Sequence, residues 1–405
     1  MESDNKLFLL DAYALIYRAY YAFIKNPRIN SKGFNTSAIL GFVNTLEEVL
    51  KKENPTHIGV AFDPAGPTFR HEAFEQYKAQ REETPEAIRL SVPIIKEIIR
   101  AYRIPILEVA GYEADDVIGT LATEAGRQGI ITYMMTPDKD YGQLVSDKVF
   151  MYRPKHTGGF EVMGVDEVKA KFDIQSPAQV IDMLGLMGDS SDNIPGCPGV
   201  GEKTAQKLIA EFGSIENLLE HTDQLKGALK TKVETNREMI TFSKFLATIK
   251  IDVPIQLDMD SLVREQADED SLRQIFEELE FRTLIDRVLK KENAGNGITT
   301  PTGNKTAAEK SNLAPLPLFP EEGGAVQGDL FANFTGNEPG EAKNSNLATL
   351  ETLNCDYQLI DTEEKRTKII QKLLTSKILS LDTETTGTEP MDAESVSYTH
   401  LTLPT

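Results

Sequence analysis

The stretch LFLLD, residues 7–11, is a short apolar run that ends in an acid. Two later runs have the same form: GVAFD at residues 59–63, and ITYMMT at residues 131–136, which Asp138 and Asp140 follow. Short apolar runs of this kind are typical of buried strands. Because ligand sites in open parallel sheets lie outside the carboxyl ends of the strands, we expect these acids to meet in one crevice.

The alternation of strand-like and helical patterns predicts the fold class. Helical segments such as VPIIKEIIRAY alternate with five expected strands, near residues 6–11, 57–63, 104–109, 130–135 and 149–152. This order is typical of an α/β fold with a parallel sheet. Successive amphipathic helices follow from residue 165 onward with no strong strand between them, which predicts an all-helical second part.

Composition divides the chain further. We expect a sheet domain at residues 1–165, a helical subdomain at 166–290 and a linker at 291–350. The linker is rich in Pro, Gly, Asn and Thr and cannot bury enough apolar surface to fold, so we expect it to be disordered. Order is expected again at residues 351–394, where YQLID and ILSLDTETTG predict strands and EEKRTKIIQKLL predicts a helix.

Nine acids form the candidate site. They follow the strands, open a helix at EADD, or lie in the turn GDSSDN: Asp11, Asp63, Glu113, Asp115, Asp116, Asp138, Asp140, Asp189 and Asp192. Gathered in a poorly solvated cleft, they would repel one another strongly unless cations lay between them. Ligands that are all oxygen favour hard cations, so we expect two or more Mg²⁺ or Mn²⁺ ions rather than zinc. Taken singly, each acid could instead be an ordinary helix cap or turn residue.

Net charge, hydropathy and cysteine content limit the possible functions but do not decide between them. The net charge is -20, yet residues 1–290 are close to charge balance once the nine acids are set aside, so a polyanionic substrate is not excluded. No apolar run is long enough to span a bilayer and no signal peptide is evident, which predicts a cytoplasmic protein with no membrane partner. Cys197 and Cys355 lie far apart and support neither a disulfide framework nor a thiolate zinc site.

A glycine-rich segment, GCPGVGEKTAQKLI at residues 196–209, precedes a predicted helix. It is not a Walker A loop, because Glu202 interrupts the required Gly-Lys pair. It is similar to a helix-hairpin-helix motif, which holds a DNA backbone without reading bases; the alternative is a plain glycine-rich helix start. The candidate DNA-binding residues of this hairpin are Gly196, Gly199, Gly201, Lys203 and Thr204.

The segment FRHEAFEQYKAQREETPE, residues 69–86, mixes cations with aromatic rings. Such a mixture suits contacts to phosphates and stacking on an unpaired base. The alternative is a charged helical stretch that is simply a solvated face. The residues concerned are Arg70, Phe74, Tyr77, Lys78 and Arg81.

Together with EADDVIGTLA, TPDKDYGQLV and LMGDSSDNIPGCPGVGEKTA, these motifs resemble the amino-terminal 5′ nuclease of the bacterial DNA polymerase I family over residues 1–290. The resemblance implies a PIN-like α/β domain, a helical arch over the active site and a helix-hairpin-helix, in which a monovalent cation can also bind. It implies that Asp11, Asp63, Glu113, Asp115 and Asp116 hold one metal, partly through water. The other metal would be held by Asp138, Asp140, Asp189 and Asp192.

The resemblance also implies roles for the cations and for the second ordered unit. Arg18, Lys78 and Arg81 would stabilise the reacting phosphate, with Arg70 and Tyr77 steering the 5′ strand. Asp382 and Glu384 in LDTETTG resemble the first metal motif of a DEDD-type 3′ exonuclease, here as a truncated α/β start. Residues 395–405 do not resemble its continuation, and we expect them to be a non-native tail. The other exonuclease acids and the polymerase domain are absent from this sequence, so no polymerase or proofreading activity is expected.

The expected function is therefore that of a metal-dependent 5′ nuclease. Its substrates would be DNA with 5′ flaps, nicks or RNA primers, in replication and repair, and we expect a monomer. Two alternatives remain at this point: a catalytically silent DNA-binding module that keeps the fold, and a PIN-type ribonuclease.

Overall fold

The structure is a computed structural model that describes residues 5–155, 159–289, 362–374, 380–385 and 395–401. These residues form two compact units, one ending at residue 289 and one beginning at residue 362. The expected linker at 291–350 and the expected strand YQLID lie outside the described residues.

A six-stranded sheet is the centre of the first unit, with strand order β3-β2-β1-β4-β5-β6. The first five strands are parallel, as expected, and β6 runs antiparallel to β5 as an addition that the sequence pattern did not reveal. The central strand β1 lies between β2 and β4, so the ends of these three strands are neighbours. The strands are β1 Lys6–Asp11, β2 His57–Ala61, β3 Ile106–Leu107, β4 Ile131–Met135, β5 Val149–Pro154 and β6 Phe160–Met163.

Helices cover both faces of the sheet. Along β1, Phe8 and Leu10 point to one apolar cluster while Leu7 and Leu9 point to the other, as the two-residue period of a strand requires. None of the helices in these ranges is long and apolar enough to cross a bilayer. The helices of this unit are α1 Ala12–Ala22, α2 Ser37–Lys52, α3 Phe69–Ala73, α4 Glu86–Ala101, α5 Ala114–Arg127, α6 Val165–Phe172, α7 Val180–Met187, α8 Glu202–Phe212, α9 Ile215–Glu220, α10 Gly227–Thr235, α11 Arg237–Ala247, α12 Glu269–Glu278 and α13 Arg282–Leu289.

The helical part does not have a core of its own. One apolar cluster runs from Leu7 and Leu9 of the sheet through α5 to Leu208 and Leu218 in the helical part. On the opposite face, α12 and α13 return to pack with α2 and α4. The sheet and the helices that follow it therefore share apolar packing on both sides of the expected boundary at residue 165.

The second unit is small in its described part. It comprises α14, Glu363–Leu374, and an antiparallel pair of β7, Ser380–Thr385, with β8, Ser395–Leu401. The helix and the strand over LDTET occur where the sequence pattern predicts them. Asp382 and Glu384 lie on β7, and part of the segment expected to be a tail forms β8.

Candidate metal-binding active site

The first acids of the site lie at the ends of β1 and β2. Asp11 ends β1 and caps α1, where its carboxylate accepts a hydrogen bond from Ala14 N at 3.1 Å. Asp63 follows β2 and accepts from Ala114 N, the first residue of α5, at 2.7 Å. Because β1 and β2 are adjacent parallel strands, these two carboxylates lie at the same edge of the sheet, next to the start of α5.

The end of β4 brings in the next pair. Thr136 donates to Asp11 Oδ2 at 3.1 Å and accepts from Asp138 N at 3.2 Å. Asp138 caps the short 3-10 helix Lys139–Leu144 and accepts from Asp140 N at 3.0 Å. Asp138 is therefore both a helix cap and a member of the acidic cluster.

The turn GDSSDN supplies the remaining acids from the helical part. Asp189 and Ile194 exchange backbone hydrogen bonds and close the turn. Tyr77 donates its hydroxyl between Glu113 Oε2 at 3.1 Å and Asp192 Oδ2 at 3.2 Å. Hydrogen bonds and mutual electrostatic interactions thus join the nine acids in one group, which we call the acidic cleft.

Four of these acids, which we call the paired acids, have a cationic nitrogen of the chain within 3.0 Å. Burial raises the pKa of Glu113, but Lys78 and Arg70 outweigh it and the net shift is downward. The pKa of Asp192 is likewise lowered against the effect of burial, by Lys78 and Arg81. The pairs are Asp116 with Arg70 at 2.8 Å, Glu113 with Lys78 at 2.8 Å, Asp192 with Arg81 at 2.5 Å and Asp189 with Lys139 at 2.5 Å.

The other five, which we call the open acids, all have raised pKa values and are Asp11, Asp63, Asp115, Asp138 and Asp140. Loss of hydration is the largest cause in each case, and neighbouring carboxylates add to it. The pKa of Asp11 reaches about 7, through burial and then Asp63. Asp63 and Asp138 nevertheless remain exposed, so the cleft removes hydration without closing off the carboxylates.

These features fit a divalent cation. Glu113, Asp115 and Asp116 each offer an oxygen within 4.8 Å of the others. Asp140 Oδ1 is buried and accepts no hydrogen bond within the described residues. The donors are all carboxylate oxygens, which hard cations prefer. The allocation to two separate ions remains a prediction, since paired and open acids occur in both of the expected sets.

Two residues expected to contact DNA are buried. Arg70 is only 1 % exposed and Tyr77 only 3 %. Arg70 pairs with Asp116 and Glu113, and Tyr77 bridges Glu113 and Asp192. The structure therefore corrects the expectation that these side chains steer the 5′ strand, because neither presents a surface that a DNA strand could contact.

The expected helical arch is also different. Helix α3 ends at Ala73, and turns follow until α4 begins at Glu86. Lys78 has a left-handed backbone, with φ of 56°, and its backbone N donates to Asp192 O at 3.0 Å. The segment is thus folded down onto the acids, which places its cations against carboxylates.

The remaining predicted cations differ in exposure. The Arg81 side chain is 42 % exposed at the rim of the cleft, whereas that of Lys78 is 19 % exposed. Arg18, on α1, donates to Lys155 O at 3.2 Å, and burial lowers its pKa to about 10. Arg81 is exposed, whereas Arg18 and Lys78 are partly buried, so Arg81 is the most accessible of the three side chains.

The glycine-rich segment forms a hairpin between α7 and α8. Gly196 and Gly199 have φ of 62° and 75°, which side chains rarely allow, and a Cβ on Gly196 would lie 2.3 Å from Gly188 N. Gly201 caps α8, while Lys203 is exposed and Thr204 partly exposed on its first turn. The segment thus joins two helices through a tight glycine turn, as a helix-hairpin-helix would require, and DNA binding by it stays a prediction. The GDSSDN turn joins it directly to the acids.

Sequence reasoning missed three residues of the site. Lys139 lies between Asp189 Oδ2 and Asp140 Oδ1, at 2.5 Å and 3.4 Å. Thr136 and Tyr141 both donate to Asp11 Oδ2, the latter at 3.3 Å. A lysine inside the acidic run DKD could have been predicted as a counter-ion, although only Asp140 of that run pairs with it and its other partner is Asp189.

Comparison with protein families decides the relationship. The model described as the 5′-3′ exonuclease N-terminal resolvase-like domain matches residues 6–173. The model described as the 5′-3′ exonuclease C-terminal SAM fold matches residues 175–270. This chain belongs to the 5′-3′ exonuclease family. The two matches meet at α6 and so cover both the sheet and the hairpin.

Curated relatives of this 5′-3′ exonuclease chain are named DNA polymerase I. That of Bacillus caldotenax is 42 % identical over 287 residues, which cover 70 % of this chain and 32 % of the relative. That of Bacillus subtilis is 43 % identical over 291 residues, covering 71 % and 33 %. That of Chloroflexus aurantiacus is 34 % identical over 393 residues, covering 96 % and 40 %. The chain therefore spans about a third of the length of most of these relatives.

Solved structures support the fold of the 5′-3′ exonuclease family. The 5′-exonuclease of bacteriophage T5 with bound zinc is 21 % identical, with a TM-score of 0.52 over 67 % of this chain and 99 % of that one. The T5 flap endonuclease in a pseudo-enzyme-product complex with DNA and metal ions is 21 % identical, with a TM-score of 0.51 over 68 % and 100 %. At this identity the likeness shows a shared fold.

Proposed function

We propose that this chain is a divalent-cation-dependent 5′ nuclease that hydrolyses phosphodiester bonds of DNA near the junction of a duplex and a displaced 5′ strand. The observation that carries the proposal is the division of the acidic cleft. Five open acids with raised pKa values meet near the ends of β1, β2 and β4, and none of them has a cationic nitrogen of the described residues within 3.0 Å. Such a cleft is costly for a fold unless it binds cations.

The metal is proposed to be Mg²⁺ or Mn²⁺, held by the open acids. Bound divalent cations would supply Lewis-acid chemistry and an activated water for an in-line displacement at phosphorus. Glu113 and Asp116 also offer oxygens within 4.8 Å of Asp115, but Arg70 and Lys78 already pair with them, so their proposed role is to position Asp115. An oxygen-only donor set supports this choice, although the T5 structure named above carries zinc.

DNA selectivity is proposed to arise from shape. The hairpin offers exposed Lys203 and the amino-terminal end of α8, which suit a phosphate of the duplex. Arg81 at the cleft rim suits a phosphate near the site of cleavage. Neither group reads a base edge, so little sequence preference is expected, and binding should weaken as salt rises.

The proposed substrates are DNA molecules with 5′ flaps, nicks or RNA primers. The protein is proposed to be cytoplasmic and monomeric. Fluorescent 5′-flap DNA with Mg²⁺, with and without EDTA, tests the activity. Cutting at the junction that EDTA abolishes is expected. If flap DNA is bound but is not cut in the presence of any divalent cation tested, the result would contradict the proposed nuclease activity and favour a silent DNA-binding module. Faster cutting of an RNA duplex than of flap DNA would favour a ribonuclease instead.

A further inference from the structure

Every N–H group of the Arg70 guanidinium has an acceptor. Nε donates to Leu246 O at 2.9 Å, and Nη2 donates to Thr248 O and to Asp116 Oδ1, both at 2.8 Å. Nη1 donates to Asp116 Oδ2 at 2.8 Å and to Glu113 Oε2 at 3.0 Å. These five donors exhaust the capacity of the side chain, so nothing remains for a substrate.

Arg70 and its partners belong to three separate parts of the chain. Arg70 itself lies on α3, the acids lie at the start of α5, and the two carbonyls lie at the end of α11 and just after it. A further hydrogen bond, from Lys250 N to Asp116 Oδ1 at 2.8 Å, joins the same parts of the chain. We call this bond and the five bonds of Arg70 the joint. The joint therefore ties the helical part, which carries the hairpin, to the acids of the sheet domain.

We propose that Arg70 is a positioning residue that fixes the carboxylates at the start of α5 relative to the helical part and makes no contact with DNA. The proposal rests on the proposed function. Bidentate pairing fixes the plane of Asp116, and the adjacent open acid Asp115 follows on the same helical turn. Loosening the joint should disturb cation binding at Asp115 while leaving the DNA-contacting surfaces intact.

Salt dependence separates this role from a direct DNA contact. Loss of one phosphate contact lowers the slope of log affinity against log salt by about 0.9. A positioning residue changes that slope little, because no counter-ion release depends on it. Arg81→Ala, which removes the accessible cation at the rim, serves as the comparison for a phosphate contact.

The experiment uses the full chain with Arg70→Lys, which keeps the charge but loses the planar fork. We expect at least a tenfold rise in the Mg²⁺ concentration for half-maximal flap cutting and a lower kcat. Calorimetric Mg²⁺ titration without DNA should show weaker binding by a similar factor. Flap affinity in EDTA and its salt slope should stay within twofold of wild type. Weaker flap binding with a reduced slope and an unchanged Mg²⁺ requirement would overturn the proposal.

Controls separate positioning from loss of stability. Lys244→Met, on α11, breaks the ion pairs of Lys244 with Asp182 at 2.6 Å and Glu216 at 2.8 Å. It lies outside the joint, so it should leave the Mg²⁺ requirement unchanged. Thr120→Val removes two bonds between α5 and the segment after α11, to Lys250 O at 3.3 Å and from Val253 N at 3.2 Å. It should shift the requirement as Arg70→Lys does, but less.

The second variant keeps the test decisive if Arg70→Lys does not fold. An unchanged Mg²⁺ affinity in Thr120→Val, or a shift in Lys244→Met as large as in Arg70→Lys, would overturn the proposal. Failure of the wild-type chain to cut flap DNA would refute the proposed function alone, because the calorimetric titration still reports on the joint.

Discussion

The open acids and the paired acids occupy one cleft but are stabilised differently. The chain provides Arg70, Lys78, Arg81 and Lys139 as close partners for the paired acids. The open acids lie in the same poorly hydrated surroundings, and their pKa values rise, to about 7 for Asp11. The cations of the chain therefore compensate only part of the buried negative charge, and the acids that they leave uncompensated are the expected site of a bound cation.

The largest expected difference is in catalysis. Asp63→Asn removes an open acid and should lower the cutting rate by at least about 10³-fold, roughly 4 kcal/mol of transition-state stabilisation. Folding should be retained, because the amide can still accept from Ala114 N. Single-turnover cutting of 5′-flap DNA measures the rate, and circular dichroism checks the fold. A variant that cuts within tenfold of wild type would remove Asp63 from the site.

The next difference is in stability. Asp116→Asn leaves the buried Arg70 without its main counter-ion, so we expect a loss of about 3–5 kcal/mol in the free energy of unfolding. Urea denaturation measures it. Asp258→Asn, at a turn remote from the cleft whose carboxylate caps Asp260 N at 3.1 Å, is the comparison and should cost far less. Equal losses in the two variants would mean that the Arg70 pair is not stabilising.

Divalent cations should stabilise the protein in a pH-dependent way. At 100 times its dissociation constant, Mg²⁺ should add about 2.7 kcal/mol. The pKa of Asp11 is raised, so without metal its burial costs stability as pH rises from the unfolded value near 4 to about 7, and metal must compete with a proton below that point. Thermal unfolding should therefore show a larger Mg²⁺ gain at pH 8 than at pH 6. An equal gain at both would place the cation elsewhere.

The smallest expected effect concerns Lys139. Its ammonium lies between Asp140 and Asp189, where it competes with an added cation. Lys139→Met should tighten Mg²⁺ binding by about tenfold, close to 1.4 kcal/mol. Calorimetric titration measures this, with exposed Lys25→Met as the control that should change nothing. Weaker binding in Lys139→Met would show that the lysine supports the cation site instead.

The convergence of the acids was predictable, whereas their division was not. Adjacent parallel strands end at one edge, so apolar runs ending in Asp11 and Asp63 were enough to predict the crevice. Burial of Arg70 depends on carbonyls of residues 246 and 248, which are distant in sequence and carry no side-chain signal. The left-handed turn at Lys78, which ends the expected arch, likewise depends on its contact with Asp192.

Asp115→Asn is the sharpest test of a cation site at the open acids, because it removes one open acid beside an intact paired acid. The thermal midpoints of wild type and variant are compared at pH 8 with and without Mg²⁺. We expect a crossover: the variant is more stable than wild type without metal, since a repelling charge is gone, and less stable with it. A variant that is less stable than wild type under both conditions would contradict a cation site at the open acids.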